Sequence, residues 1–148
     1  MCSITFFTPN TKIAFKLTSE FNPPSYIFTE LSCLDPKNVQ FSIYSYEKKC
    51  HIVGAILKDE TNLDRLKDNS FEVDSLKSLT TFNHSIFPHL SFLSIYIAQI
   101  KVIPELEDGL FNKGFTPSYR IEIYDDSNIY HSILTSQDSD LERIFKNQ

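Results

Sequence analysis

Val39-Gln40-Phe41-Ser42-Ile43-Tyr44 alternates apolar and polar side chains, and His51-Ile52-Val53-Gly54-Ala55-Ile56-Leu57 follows it across the polar step Glu47-Lys48-Lys49. Period-two alternation is the mark of a strand with one face in a core, and two such runs around a short polar break read as a hairpin. Working towards the N-terminus, Ile13, Phe15 and Leu17 alternate with Lys12, Lys16 and Thr18, and residues 3–7 add a short strand beyond the turn Thr8-Pro9-Asn10-Thr11. The pair Pro23-Pro24 removes two ladder donors and forces a loop. Residues 26–34, rich in β-branched and aromatic side chains and closed by Asp35-Pro36-Lys37-Asn38, read as a further strand. Five consecutive strands with short turns imply an antiparallel meander or a rearrangement of one.

Towards the C-terminus the pattern changes. Residues 59–69 carry Leu63 and Leu66 at a spacing of three behind Asp59 or Thr61 as N-cap, and Val73, Leu76, Leu79 and Phe82 continue that spacing. One helix broken near Asn69-Ser70, or two short ones, is expected. Residues 90–103 are apolar on both alternate faces, as a central strand covered on two sides would be. Pro104 then falls at the first position of a helix that Gly109 and Gly114 limit to a turn or two. Residues 119–124 and 129–134 flank the turn Asp125-Asp126-Ser127-Asn128, and Ser139-Asp140-Leu141-Glu142 has the spacing of a capping box before a short terminal helix. The expectation is a single α+β domain over residues 1–148, a mainly antiparallel sheet of about seven or eight strands with two to four short helices.

Composition agrees. The 148 residues hold 13 Phe and 7 Tyr against one Met and no Trp, with 41% hydrophobic and 22% charged residues. Such a chain folds around a core and needs no disulfide or metal to do so. Three cysteines, Cys2, Cys33 and Cys50, form no even framework, and the N-terminus lacks the basic and apolar regions of a signal peptide. Both point to a cytoplasmic protein with free thiols. Cys33 and Cys50 are expected inside strands. Residues 90–103 are too short and too polar to span a bilayer.

Chemical motifs are sparse. Cys50 and His51 are adjacent, so on a strand they face opposite ways, and His84 and His89 have no second pair to complete a metal site. Seventeen serines include no Gly-x-Ser-x-Gly elbow. Three glycines in the chain exclude the P-loop and the dinucleotide fingerprint, which need glycine where backbone approaches phosphate. No catalytic residue, metal or cofactor is therefore assigned, and a non-enzymatic role is expected.

Charge is distributed unevenly. Between Val102 and Glu142 lie nine acids and two bases, within a net charge of −5. An acidic face repels nucleic acid and attracts a basic protein. Glu105, Glu107, Asp108, Glu122, Asp125 and Asp126 are the candidate partner-binding carboxylates, with Tyr119, Tyr124 and Tyr130 as aromatic anchors. An acidic α+β chain of this kind has the physical type of an immunity protein that occludes a basic, nuclease-like toxin domain. A generic adaptor or host-interaction role is the nearest alternative. An enzymatic alternative comes from a resemblance. Ile52-Val53-Gly54-Ala55-Ile56 resembles a strand of the acetyl-CoA-dependent N-acetyltransferase superfamily, and Phe111-Asn112-Lys113-Gly114-Phe115 is similar to that family's C-terminal Lys-Gly-Phe segment. The resemblance implies a small acyltransferase whose pyrophosphate loop would follow residue 102, where this chain has Pro104-Glu105-Leu106-Glu107-Asp108.

Overall fold

In a computed structural model of the chain, which describes residues 4–5, 10–19, 24–36, 39–77, 80–81 and 83–146, nine strands and four helices follow one another. They are β1 (Ile4–Thr5), β2 (Thr11–Thr18), α1 (Ser25–Leu34), β3 (Val39–Ser45), β4 (Cys50–Ile56), α2 (Leu63–Asp68), β5 (Glu72–Leu76), β6 (Thr80–Thr81), β7 (Asn83–Pro88), α3 (Phe92–Asn112), β8 (Tyr119–Tyr124), β9 (Asn128–Leu134) and α4 (Ser139–Lys146). Seven of the strands form one antiparallel sheet in the order β5-β2-β4-β3-β8-β9-β7, and β1 pairs with β6 separately. The protein is an α+β domain built on that sheet, as its alternating runs require.

Two cores lie on the two faces, because successive strand residues point to opposite sides. On one face Ile13, Phe15, Phe41, Ile43, Ile52, Ile121 and Ile123 pack under α4, which contributes Leu141, Ile144 and Phe145. On the other, Ala14, Val53, Ala55, Tyr124 and Ile129 pack under α1, α2 and α3 through Ile27, Phe28, Leu31, Leu66 and Ile95. Gly54 has no side chain because β2 runs too close. A Cβ there would overlap the Ala14 carbonyl oxygen.

The sheet is built twice over. The segments β2-α1-β3-β4 and β7-α3-β8-β9 share one plan, a strand, a helix and a hairpin. They enter the sheet as β2-β4-β3 and β8-β9-β7, mirror orders that place a pseudo-twofold axis between β3 and β8. Ser42-Ile43-Tyr44 and Glu122-Ile123-Tyr124 sit at matching places on those two strands, and Ser42 pairs directly with Glu122.

Four sequence expectations are corrected. Residues 26–34 form helix α1, not a strand: Ile27, Phe28 and Leu31 bury one helical face, and tertiary packing overrides their β propensity. The run of strands is accordingly not a meander. Val73 and Leu76 belong to strand β5 and face opposite cores, so their spacing of three is not helical; Leu79 and Phe82 lie outside the described residues. Residues 92–112 form one long helix, α3, with Pro104 in its interior and Gly109 within it. An apolar helix shows no polar stripe, which makes it resemble a buried strand in sequence. Residues 104–108 are therefore helix interior, neither the helix start expected at Pro104 nor the pyrophosphate loop that the resemblance implies. Gly114, at φ +79°, closes the turn after α3. Lastly, Asp138, not Ser139, caps α4, its carboxylate accepting the N–H groups of Asp140 and Leu141 at 3.0 Å each.

Smaller differences concern the thiols. Cys33 is exposed on α1 and Cys50 is half-buried at the start of β4; both are free, and Cys2 lies outside the described residues. Among the described residues no helix is long and apolar enough to cross a membrane.

Candidate functional site

α1 lies over β4 and α3 over β7 and β9, and a gap between the two helices opens beside Gln40 of β3 and Tyr124 of β8. The gap is a cleft of about 360 Å3, within the size range of small-molecule sites. Phe28 of α1, Ile95 of α3, His89 and Tyr124 form its apolar and aromatic lining, with Ser32 and Gln40 adding polar groups. Asp125 and Asp126 stand at its rim, and among the described residues no Lys or Arg lines it. The rings are mutually arranged: Tyr124 meets Phe28 edge-to-face at 5.1 Å and His89 at 6.1 Å.

The loop before α3 is pinned to the β8–β9 turn. The His89 backbone N–H donates to the Ser127 carbonyl at 2.9 Å, and its Nδ1–H donates to the Asp125 carbonyl at 2.7 Å. The Asp125 carboxylate in turn accepts the N–H groups of Ser127 and Asn128 at 2.8 and 2.6 Å. Burial pushes the Asp125 carboxyl up, but these two backbone donors, a hydrogen bond from Tyr130 and the nearby His89 together outweigh it and hold it below the usual carboxylate range.

Behind the cleft lies a buried polar cluster. Tyr124 turns its ring to the cleft and donates its hydroxyl to Glu122, with Ser42 Oγ at 3.1 Å from the same oxygen. Glu122 is 1% exposed. Its Oε1 accepts the Gln99 amide of α3 at 2.9 Å and lies 3.7 Å from Arg120 Nε and 3.7 Å from His131 Nδ1. Burial pushes the Glu122 carboxyl up, while the Arg120 charge and the Tyr124 hydrogen bond only partly pull it back. Burial, then the Glu122 charge, raises the Tyr124 phenol well above its ordinary value. His131, also fully buried, is pushed down to about 4 by burial and by the Arg120 charge. A carboxylate set in so dry a place is costly unless its charge is used or paired.

The acids and tyrosines singled out in the sequence divide among several places. Tyr124, Asp125 and Asp126 line the cleft, and Glu122 stands behind it. Glu107, on α3, joins the cluster beside the Arg120 end of β8, accepting the Tyr46 hydroxyl at 2.9 Å and lying 3.9 Å from Arg120. Glu105 and Asp108 are exposed on α3. Tyr119 and Tyr130 pack on the opposite, α4-covered face, where Tyr119 stacks on Phe145 at 5.9 Å and donates to Gln137 at 2.6 Å. Burial and the nearby acids Glu142, Asp138 and Glu47 push the Tyr119 phenol up to about 12. Asp125 is five positions beyond Arg120, about 17 Å along an extended strand, so the acids do not form one patch. Reasoning on sequence missed Phe28, His89, Gln99, Arg120 and His131. The repeated Ile-Tyr pair at 43–44 and 123–124 is the signal that could have placed the cluster at the middle of the sheet. Among the described residues, no three His, Cys, Asp or Glu side chains converge as metal ligands would.

No family profile matches the chain, and no curated protein matches it. A solved structure, SAV2435 bound to tetraphenylphosphonium, is similar in fold: the TM-score is 0.53 at 9% identity, over 90% of this chain and 94% of that one.

Proposed function

We propose that this chain is a binding protein for bulky organic cations carrying aromatic groups, and that they sit in the cleft between α1 and α3. The observation that carries this reading is Tyr124. Its ring walls the cleft while its hydroxyl donates to the buried Glu122 carboxylate. Donation to an anion enriches the ring in electron density, and an aromatic face backed by negative charge in a dry site attracts a cation. Phe28 supplies a second ring, and the rim carboxylates of Asp125 and Asp126 add long-range attraction. The bound tetraphenylphosphonium of the similarly folded protein, a lipophilic cation with four phenyl groups, is of the same chemical class.

Titration calorimetry with tetraphenylphosphonium tests the reading. Saturable one-site binding is expected, weakened about tenfold or more by Glu122→Gln, equivalent to about 1.4 kcal/mol or more. The absence of binding up to millimolar ligand, or binding that ignores Glu122→Gln in a folded protein, would overturn it.

A second reading, an acidic non-enzymatic inhibitor of a basic protein such as a toxin domain, is favoured by the outer face of α3. Leu93, Tyr96, Ile97 and Ile100 are exposed there, on the helix that also carries exposed Glu105 and Asp108. Apolar anchors beside carboxylates suit a steered protein interface.

A further inference from the structure

Arg120 is an unexpected neighbour for a cation site. Its side chain is 7% exposed, yet it makes no close pair with either acid beside it: the nearest approaches are 3.7 Å to Glu122 and 3.9 Å to Glu107. A guanidinium buried for structural reasons forks onto a carboxylate at about 2.7–2.9 Å. Here both carboxylates give their short hydrogen bonds elsewhere. Glu122 accepts from Gln99 and Tyr124, and Glu107 accepts from Tyr46. Arg120 itself donates at 3.3 Å to the Gln99 carbonyl oxygen and also to the Tyr46 hydroxyl oxygen, both neutral acceptors, and its guanidinium lies 5.0 Å from the centre of the Tyr44 ring. An aromatic face and two acids around a positive group that forks onto neither acid is the arrangement an organic cation seeks, filled from within by the chain's own side chain.

We propose that Arg120 is a resident competitor for the cation: held between Glu122, Glu107 and the Tyr44 ring, it shares the Glu122 charge with whatever lies against Tyr124. It thereby sets how strongly the cleft prefers a cation to a neutral molecule of the same shape. This rests on the reading of the cleft as an organic-cation site and adds what determines its selectivity. The pseudo-twofold axis explains the position. Tyr44 and Tyr124 occupy matching places on β3 and β8, so each half of the sheet puts one tyrosine on the same face. One ring walls the open cleft, and the other is occupied by Arg120.

The test compares tetraphenylphosphonium with neutral triphenylphosphine oxide by calorimetry at pH 8.5. The charged and titratable groups facing Glu122 are Arg120 and Tyr124 on its own strand and His131 on β9. Through Arg120 they extend to Glu107 on α3, with Tyr44 and Tyr46. Removing Arg120 takes away a charge that favours the ionised carboxylate, so the comparison is made at an alkaline pH, which favours that form in the variant as well. Arg120→Gln should tighten tetraphenylphosphonium binding about tenfold and change the oxide by less than about twofold. Added to Glu122→Gln, the same substitution should lose most of that gain, because coupled residues are non-additive. Equal gains for both ligands would show only added room and overturn the proposal, as would a gain that survives Glu122→Gln. Wild-type binding that Glu122→Gln weakens, with an unchanged ligand ratio in Arg120→Gln, sinks Arg120's role and leaves the cleft reading standing. Failure of both wild type and Arg120→Gln to bind tetraphenylphosphonium sinks the cleft reading and this inference with it. Arg120→Lys keeps a counter-charge for the buried acids but lacks the planar fork. If Arg120→Gln does not fold, the lysine variant should show the same preference at about threefold, and no change in it overturns the proposal.

Discussion

His131 is fully buried, and neither of its ring nitrogens has a hydrogen-bond partner among the described residues. Burial and the Arg120 charge hold its pKa at about 4, against about 6.5 in an unfolded chain. Below pH 6.5 the unfolded chain therefore takes up a proton that the folded chain refuses. The stability this group contributes is complete above that pH and is lost as pH falls towards 4, by about 3 kcal/mol in full. Glu122, 3.7 Å away, has the opposite sign. Its raised pKa makes its contribution greatest below the ordinary carboxylate range, and that contribution is lost as pH rises through the folded value. Differencing wild type against His131→Gln isolates the histidine. Between pH 7 and pH 5 the wild-type melting temperature should fall about 5 °C further than that of the variant. Parallel melting profiles over that window would refute the assignment. None of this was legible in the sequence, where His131 is one polar residue in an alternating strand. Only the ladder that sets Glu122 opposite it brings the two together.

At the scale of elements, α3 is where sequence and structure part. Its residues Ile95 and Ala98 are buried, while Ile97 and Ile100, of the same chemical kind, are 42% and 75% exposed. A pattern that marks the inner face by polarity alone cannot see this helix, because both faces are apolar. Pro104 hides it further, since proline in a helix interior removes a hydrogen bond and reads as a start or a stop. Strands β2, β3, β4, β8 and β9 were legible because each has one face in the tight α4-side core, and the inward Ile13, Phe15, Phe41, Ile43, Ile121 and Ile123 enforce the alternation. The helix gives a direct contrast in stability. Ile95→Ala should cost about 2–4 kcal/mol in urea unfolding, as a buried truncation does. Ile100→Lys should stay within about 0.5 kcal/mol of wild type. If residues 90–103 formed a central strand, both substitutions would be severely destabilising.

For the whole molecule, the two strand–helix–hairpin units meet along a single ladder, from Gln40 opposite Tyr124 to Ser45 opposite Tyr119. The helices of the two units diverge from that seam, which opens the cleft above it, and the buried acid stands on only one of the two matched strands. The candidate carboxylates were found as a charge excess in the sequence; Asp125 and Asp126 stand at this cleft and Glu122 behind it, while Glu105, Glu107 and Asp108 lie elsewhere on α3. Their division between the rim, the buried cluster and the outside of α3 depends on strand order and helix placement, which no local pattern encodes.

The same seam has a consequence for how the protein is made. β3 is the edge of everything that precedes it in the sheet, and the strand that covers it arrives about eighty residues later. At about 5–20 residues per second, a ribosome leaves that edge bare for roughly 4–16 s. An open strand edge flanked by apolar side chains recruits other chains, and pairing over so long a sequence separation closes slowly. A chain ending at Lys77 should therefore collect in the insoluble fraction on expression, while the full chain stays in solution, and slower synthesis at low temperature should not rescue it. Soluble, monomeric recovery of that truncated chain would show that the first unit shields its own edge. Otherwise the nascent protein depends on time, and on whatever holds β3 until β8 emerges.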